Sequence, residues 1–399
     1  MRLVYISGYY KPANVYGGTV TSISTAFEAM AKLGVQVDVL TTNANGRDCL
    51  NVPLRQRVNM DGVGVWYYPK SNLLKSISIS GEMVHEFHQR IHQYDLVISG
   101  LLWQPIVENI RLSCISAKVP YIVLLFGQLM PWALHYKYLR KRLFLKLLGW
   151  RFLNSATALQ CTSQIEAYAV TNLSPKPPCL VIPHGLNIES FNSLPERGKT
   201  RSMLGIPDSD IVLICLGRLH RVKNPELSLE AFAALNRSDI HLIYAGPDEG
   251  GFEPLLRNRA KEIGCSEKVH FTGLLDKSNV MQILVDADLL VMPSEQENFG
   301  MSAAEALAAG IPILTSDKVP MGIYASHVKA GLIAPISVSH FTKALQDLLS
   351  DRVHLKQMGN RGKALIKQEF DSKTLAMRTI NVYQSLVDGY SITYDSLIH

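Results

Sequence analysis

Several features that would each announce a function class are missing from this chain. Its six cysteines, Cys49, Cys114, Cys161, Cys179, Cys215 and Cys265, are scattered along 399 residues. They form no Cys-x-x-Cys pair and have no histidine at zinc spacing, so a disulfide framework and a structural metal are not expected. No apolar run approaches the roughly 20 residues of a membrane-spanning helix. The opening Arg2-Leu-Val-Tyr-Ile-Ser7 has a buried strand's length and no charged leader or cleavage site. A non-secreted, cytoplasmic protein is therefore expected. Charge is sparse as well, at 19% of residues with a net +6. With 47% hydrophobic residues, and with 27 Gly and 19 Pro showing no period, the chain is neither disordered nor collagen-like. Gly17-Gly18 closes a long loop after the first strand, but no Gly-x-Gly-x-x-Gly stands there, so the nicotinamide or flavin fingerprint is missing. No nucleic-acid motif is recognised and the total charge is modest, so a nucleic-acid partner is not expected.

What is present is an alternation of short apolar strands with helix-length segments. Leu3–Ser7, Val35–Leu40, Leu96–Ser99, Tyr121–Leu125 and Leu180–Ile182 read as strands in the first half. Between the first two, Val20, Ile23, Phe27, Met30 and Ala31 space a helical stripe that Gly34 closes. The second half repeats the plan, with strands at Ile211–Leu216, His241–Ala245, Val269–Thr272, Leu289–Met292 and Ile313–Thr315. Such alternation predicts two doubly wound parallel sheets of the α/β class, divided at the polar, turn-rich run Ser190–Thr200 into 1–195 and 196–370. Ligands are expected in a cleft at the carboxyl ends of the strands. The halves differ in charge: residues 1–195 hold 18 Lys and Arg against 10 Asp and Glu, a net +8, and the remainder holds 22 against 24, a net −2. An anionic partner is expected for the first half.

The most informative stretch runs from Met292 to Pro312. It leaves a strand, turns through Glu297-Asn298-Phe299-Gly300, and enters an Ala-rich helix at Met301 and Ser302 that Gly310 ends. The helix N-terminus suits a phosphate, and Glu297 and Glu305, flanking that point, can accept hydrogen bonds from the hydroxyls of a sugar and a ribose. For an arbitrary pair of glutamates the plainer reading, a solvated loop acid and a helix-surface acid, comes first. After strand Ile211–Leu216 comes Gly217-Arg218-Leu-His-Arg-Val-Lys223-Asn224. Here Arg218 and Lys223 are either a metal-free diphosphate clamp or two surface cations near a helix start.

Taken together, Glu297-x7-Glu305 with Phe299-Gly300, Gly217-Arg218 through Lys223-Asn224, Gly17-Gly18, and Ile182-Pro-His-Gly-Leu-Asn187 resemble the retaining glycosyltransferases of family 4. The resemblance extends along nearly the whole chain in the family's order. Within the family, the run Gln128–Leu134 and the basic stretch after it are similar to a bacterial subset that builds surface polysaccharides and lipopolysaccharides. It implies the GT-B fold, with two Rossmann-like domains facing a central cleft and a C-terminal helix in 371–399 crossing back to the first. It also implies a nucleoside-diphosphate-sugar donor, a saccharide or lipid-linked acceptor, and no metal or other cofactor. By the same resemblance, Arg218 and Lys223 would hold the diphosphate with help from the backbone of Met301 and Ser302, with Gly217 turning the chain and Gly17 and Gly18 facing it from the other domain. Glu297 would bind the transferred sugar and steady the positive charge developing at its anomeric carbon. Glu305 would bind the ribose, and Leu274 would border the base; Asn298, Phe299 and Gly300 complete the donor loop.

One position departs from the family pattern. The family often has His-Gly after the strand at Tyr121–Leu125, where this chain has Phe126-Gly127. Phe126 cannot hydrogen-bond a sugar, though it can stack on one; Gln128 or His135 would have to stand in. That departure keeps a non-catalytic nucleotide-sugar-binding module open beside the transferase, and a GT-B epimerase is a further alternative. Much of the first half's positive charge lies in residues 135–152, where Lys137, Arg140, Lys141, Arg142, Lys146 and Arg151 alternate with Leu and aromatic residues. This segment reads either as a peripheral contact with an anionic membrane or as a helix whose stripe packs inward.

Overall fold

A computed structural model of the protein describes residues 1–70 and 80–390. The chain forms two compact units: Met1–Gly185 together with the segment from Ser372 onward, and Leu186–Asp371 between them. Residues 391–399 of the expected C-terminal segment lie outside the described residues.

In the first unit, β1 (Arg2–Ile6), β2 (Gln36–Thr42), a small antiparallel ribbon of β3 (Ala44–Asn45) and β4 (Asp48–Cys49), β5 (Arg57–Met60) and β6 (Val63–Tyr68) come first. They are followed by β7 (Leu96–Ser99), β8 (Tyr121–Leu124), β9 (Ala158–Cys161) and β10 (Cys179–Val181). Eight of these strands make one sheet in the order β10-β9-β8-β7-β1-β2-β6-β5, parallel except where β5 meets β6. Both faces are covered, which is why its strands read as unbroken apolar runs. Along β1, Val4 and Ile6 join a core with Phe87, Leu102 and Phe152, while Leu3 and Tyr5 join one with Phe27 and Met30 on the other face. The helix Gly18–Lys32 lies on the second face, and Gly34 follows it at φ +88°. The helix Ser372–Val387 packs there too, placing Ala376, Tyr383 and Leu386 in the same core. The Tyr383 hydroxyl donates to Gln160 Oε1 at 2.6 Å.

The second unit holds β11 (Ile211–Leu216), β12 (Ile240–Ala245), β13 (Val269–Phe271), β14 (Leu289–Met292), β15 (Ile313–Ser316) and β16 (Gly331–Ala334), all parallel, in the order β13-β12-β11-β14-β15-β16. The order reverses between β11 and β14, which pair at Leu213–Leu289 and Ile214–Leu290. Loops leaving the carboxyl ends of those two strands therefore emerge side by side, where an open α/β sheet places its ligand.

The expected division after residue 195 needs correction. The polar run 190–200 lies inside the second unit, where Phe191 is buried, and the chain crosses at Gly185–Leu186 and again at Asp371–Ser372. The two crossings are neighbours, since the Leu186 N–H donates to the Phe370 carbonyl at 2.8 Å. Also beyond the strands read from sequence are β3, β4, β5, β6, β9 and β16. No helix among the described residues is long and apolar enough to cross a membrane.

At the amino-terminal end of the second sheet His241 and His270 stack, with His241 Nδ1 2.9 Å from His270 Nε2, and His241 Nε2 3.1 Å from Asp210 Oδ2 and 3.2 Å from Lys268 Nζ. Burial first, and then the neighbouring histidine and Lys268, push His270 down to about 4; burial also lowers His241 against the pull of Asp210. The folded protein thus binds fewer protons here than the unfolded chain. This stability is present in full above the ordinary imidazole value and is lost as pH falls from about 6.5 toward 4. The melting temperature is expected to drop between pH 7.5 and pH 5, and His270→Gln to flatten that slope; equal slopes in thermal melts of the two proteins would remove this assignment.

Candidate functional site

Four strand ends of the second unit build the site. Behind β11, Gly217 turns at φ +137°, its N–H donating to the Ala245 carbonyl at 2.8 Å. Gly246, at φ +148°, closes on the same turn so tightly that a Cβ there would sit 2.0 Å from the Gly217 carbonyl oxygen. Gly246→Ala is therefore expected to push the Gly217–Arg218 turn out of place and to cost about 2 kcal/mol or more, read as a lowered thermal melting point. Arg218 is exposed and pairs with Glu249, which the loop after β12 supplies. The next residues form a short 3-10 turn, Arg221–Lys223, capped where His220 Nδ1 accepts the Val222 N–H at 3.2 Å. Asn224, at φ +51°, then starts the helix Pro225–Ala233.

The loop after β14 lies against that turn, with the Glu295 N–H donating to the Val222 carbonyl at 2.8 Å. This contact brings Lys223 Nζ onto Glu297 Oε1 as an ion pair. The buried Ser294 hydroxyl donates to the same carboxylate oxygen at 3.0 Å, and the Ser294 carbonyl accepts the Ser316 hydroxyl at 2.5 Å. Glu297 is thus fixed from its own loop, from β11 and from β15. Gly217, Arg218, Lys223, Met292, Pro293 and Ser294 line a shallow pocket of about 20 Å³.

Beyond Glu297, Phe299 is buried and the Met321 N–H donates to its carbonyl at 3.0 Å. Gly300, at φ +96°, caps the helix Met301–Ala309, and a Cβ there would press within 2.9 Å of Val319. The first backbone N–H groups of that helix, including those of Met301 and Ser302, have no carbonyl partner within it and face outward from its positive end. Glu305, one turn further, is partly buried. Burial pushes its carboxyl up to about 7, with Lys277 pulling the other way. Among the described residues its carboxyl makes no hydrogen bond or ion pair. Leu274 is exposed after Gly273, at φ +66°, where β13 ends.

The structure thus gathers Gly217, Arg218, Lys223, Glu297 and the start of the helix carrying Glu305 at one switch point. Leu274 and the loop residues Asn298, Phe299 and Gly300 belong to the same unit, and the other expected residues belong to the first. Gly17, at φ +67°, caps the helix that Gly18 begins, and the Ser22 hydroxyl donates to the Gly18 carbonyl at 2.7 Å. Phe126 sits at φ +46° with its ring stacked on His184, the centroids 5.7 Å apart, at the edge of a small cavity of about 40 Å³ that Phe27, Gln160 and Tyr383 also line. Burial pulls His184 down to about 4. Gln128 follows in the same loop, its N–H donating to the Leu125 carbonyl at 2.8 Å. His135 ends the short helix Pro131–His135, with Nδ1 2.6 Å from the Pro131 carbonyl.

Three supporting residues escape sequence reasoning. Ser294 and Glu249 hold Glu297 and Arg218, and the buried Glu166 carboxylate holds the turn after Phe126 by accepting the Gly127 N–H, and the Thr162 N–H at 2.7 Å. Glu166 left a trace in the spacing Ser163-x-x-Glu166, a capping signature, and the Ser163 hydroxyl does accept the Glu166 N–H.

A model described as "Glycosyltransferase Family 4" matches residues 16–190, and one described as "Glycosyl transferases group 1" matches residues 196–365. A D-inositol 3-phosphate glycosyltransferase of Nocardia farcinica is 32% identical over 195 residues, 46% of this chain and 42% of that protein. A lipopolysaccharide core biosynthesis mannosyltransferase, LpsB, of Rhizobium meliloti is 27% identical over 221 residues, 53% of this chain and 62% of that protein. The chain spans about half the length of the curated relatives it matches. Among solved structures, sucrose-phosphate synthase from Thermosynechococcus elongatus superposes with a TM-score of 0.76 at 19% identity, covering 98% of this chain and all of that one. The Anabaena protein Alr3699/HepE, in complex with UDP-glucose, superposes at 0.70 and 18% identity, covering 96% of this chain and all of that one. The fold is GT-B.

Proposed function

The chain belongs to the family-4 glycosyltransferases of the GT-B fold, and from that membership we propose that it moves a sugar from a nucleoside diphosphate to a saccharide or lipid-linked acceptor in surface-glycan synthesis. The observation that carries the reading is the Lys223–Glu297 pair at the switch point, with Arg218 lining the same pocket. A cation for the leaving diphosphate and a carboxylate for the sugar it leaves are held side by side on two neighbouring strand ends. Arg218 and Lys223 would neutralise the diphosphate as the glycosidic bond lengthens, assisted by the backbone at Met301 and Ser302. Glu297 would accept hydrogen bonds from the sugar and face the positive charge growing at the anomeric carbon. Glu305 would take the ribose hydroxyls, with Leu274 beside the base. The acceptor hydroxyl would attack on the face from which the diphosphate departs, so that configuration is retained and the acceptor proton leaves with the diphosphate oxygen. Donor diphosphate binding would need no metal in this arrangement. A lipid-linked acceptor would bring the protein to the cytoplasmic face of a membrane.

The test is to incubate the full chain with uridine- and guanosine-diphosphate sugars and with saccharide or lipid-linked acceptors, reading the anomeric configuration of the product by NMR. A retained linkage is expected. Donor binding with neither transfer nor donor hydrolysis would overturn the reading in favour of a non-catalytic module, which the Phe126 position favours. Product formed without acceptor would favour an epimerase.

A further inference from the structure

We propose that the outward face of residues 132–147 docks on an anionic lipid bilayer. Between Glu108 and Glu166 the sequence contains no Asp or Glu at all. In the middle of that span the chain forms the helix Pro131–His135, the helix Tyr138–Phe144 and a wider π turn, Leu145–Gly149. One side of it is anchored: Phe144, Leu145 and Phe152 pack into the core of the first unit. The other side carries a second apolar stripe. Leu139, Leu143 and Leu147, four residues apart, are 78%, 58% and 57% exposed, and Trp132 and Tyr136 prolong the stripe. A helix lying on a single core needs one apolar face, so a second one, covered by nothing among the described residues, calls for a partner.

Charge selects that partner. Lys137, Arg140, Arg142 and Lys146 flank the leucines, all exposed, and none makes an ion pair among the described residues. Several exposed arginines elsewhere are neutralised, as in Arg55–Glu82 and Arg257–Glu253. Two copies of this face would repel each other, and a nucleic acid would leave the leucines in water. A bilayer bearing anionic headgroups satisfies both elements: the leucines and Trp132 enter the acyl boundary, while the long cationic side chains reach the phosphates. The segment is also held firmly. Lys141 Nζ donates to the Ala133 carbonyl at 2.5 Å and lies 4.8 Å from the centre of the Trp103 ring. Trp103 stands in the loop after β7 and the segment itself follows β8, so the docking face adjoins the carboxyl edge of the first sheet. The step that gives this edge a role in receiving a lipid-linked acceptor rests on the transferase reading; the docking itself does not.

The full chain would be co-sedimented with phosphatidylcholine vesicles, with and without phosphatidylglycerol, at low and physiological salt. Binding only to the anionic vesicles, weakened by salt, is expected. The triple variant Arg140→Gln, Arg142→Gln, Lys146→Gln is expected to bind about 100-fold more weakly, at roughly a fivefold loss for each cation near the surface. Leu139→Ser, Leu143→Ser, Leu147→Ser should lose at least as much. Both should keep the wild-type circular dichroism and the thermal shift given by uridine or guanosine diphosphate, since none of the six residues lies in the core. Wild-type protein that ignores anionic vesicles, or binding that survives both triple variants, would overturn the proposal. So would a leucine variant that turns a dimer into a monomer without changing vesicle binding, which would assign the stripe to a second copy of the chain. Vesicle binding in a protein that takes no nucleoside diphosphate would leave the docking standing and remove the transferase reading.

Discussion

Glu297→Gln is expected to reduce turnover by about 100- to 1000-fold while the affinity for nucleoside diphosphate is kept or raised. The substitution preserves shape and leaves an oxygen for the Ser294 hydroxyl, which lies 3.0 Å from Oε1 in the wild type. It removes the charge, and with it two interactions of opposite consequence. On the proposed reading, the transferred sugar would lose the carboxylate facing its developing positive charge, so kcat would fall. Lys223, released from its ion pair, would be left wholly to the diphosphate. The Glu297 side chain is only 13% exposed, so water replaces little of what the carboxylate supplied. Initial rates at saturating donor, beside calorimetric titration with uridine or guanosine diphosphate, separate the two effects. A kcat within threefold of wild type would remove Glu297 from the chemistry. Weakened diphosphate binding would show instead that Glu297 serves to hold Lys223 in place.

The contrast between what sequence and structure disclose is clearest in the second unit. The loops after β11 and β14 were readable because each packs its chemistry into a few consecutive residues. That the two strands are neighbours, and so bring Lys223 onto Glu297, follows from the topology of a doubly wound sheet. Glu249 was not readable as the partner of Arg218, since it lies 31 positions away and nothing local marks it. The domain boundary failed for a related reason. The polar composition of 190–200 reports exposure to water and not the core that an element joins, and partners distant in sequence, such as Asp288 for Arg197 and Asp286 Oδ2 for the Thr200 N–H at 2.7 Å, tie that stretch to the second unit.

Other signals were present in the sequence and went unused. Asp61-Gly62, at φ +52° and +92°, is the two-residue turn of the β5–β6 hairpin, and such a dipeptide between apolar runs announces a hairpin. By contrast, β9 and β16 are four residues long and lack any flanking turn of that strength. The basic segment 135–152 shows a different kind of limit. Its two readings, a packed helix and an exposed cationic face, turn out to be compatible, because opposite sides of the same short helices carry them. Periodicity counts apolar positions but does not say which of two apolar stripes will meet the core.

Arg201→Ala is expected to destabilise the second unit by about 3–5 kcal/mol. Arg201 is 1% exposed, and its guanidinium serves four acceptors. Nε donates to the Asp286 carbonyl at 2.9 Å, Nη1 to the carbonyls of Pro207 at 3.1 Å and Asp210 at 2.9 Å, and Nη2 to Asp288 Oδ2 at 2.7 Å. Burial lowers its proton affinity against the pull of Asp288, so the charge is held at a cost that only these partners offset. Truncation leaves three carbonyls and part of a carboxylate without donors, although Arg197 still reaches Asp288 Oδ1 at 2.6 Å. Lysine, with a single point of donation, cannot span the four sites, and Arg201→Lys should recover less than half of the loss. The four tryptophans, Trp66, Trp103, Trp132 and Trp150, all lie in the first unit, so their fluorescence reports that unit, while circular dichroism follows both. In a thermal melt the dichroism transition of Arg201→Ala should move down by about 10 °C. A shift below about 2 °C would mean that water enters and satisfies the emptied acceptors, and the buried guanidinium would then not be what ties the segment 197–210 to the end of β11.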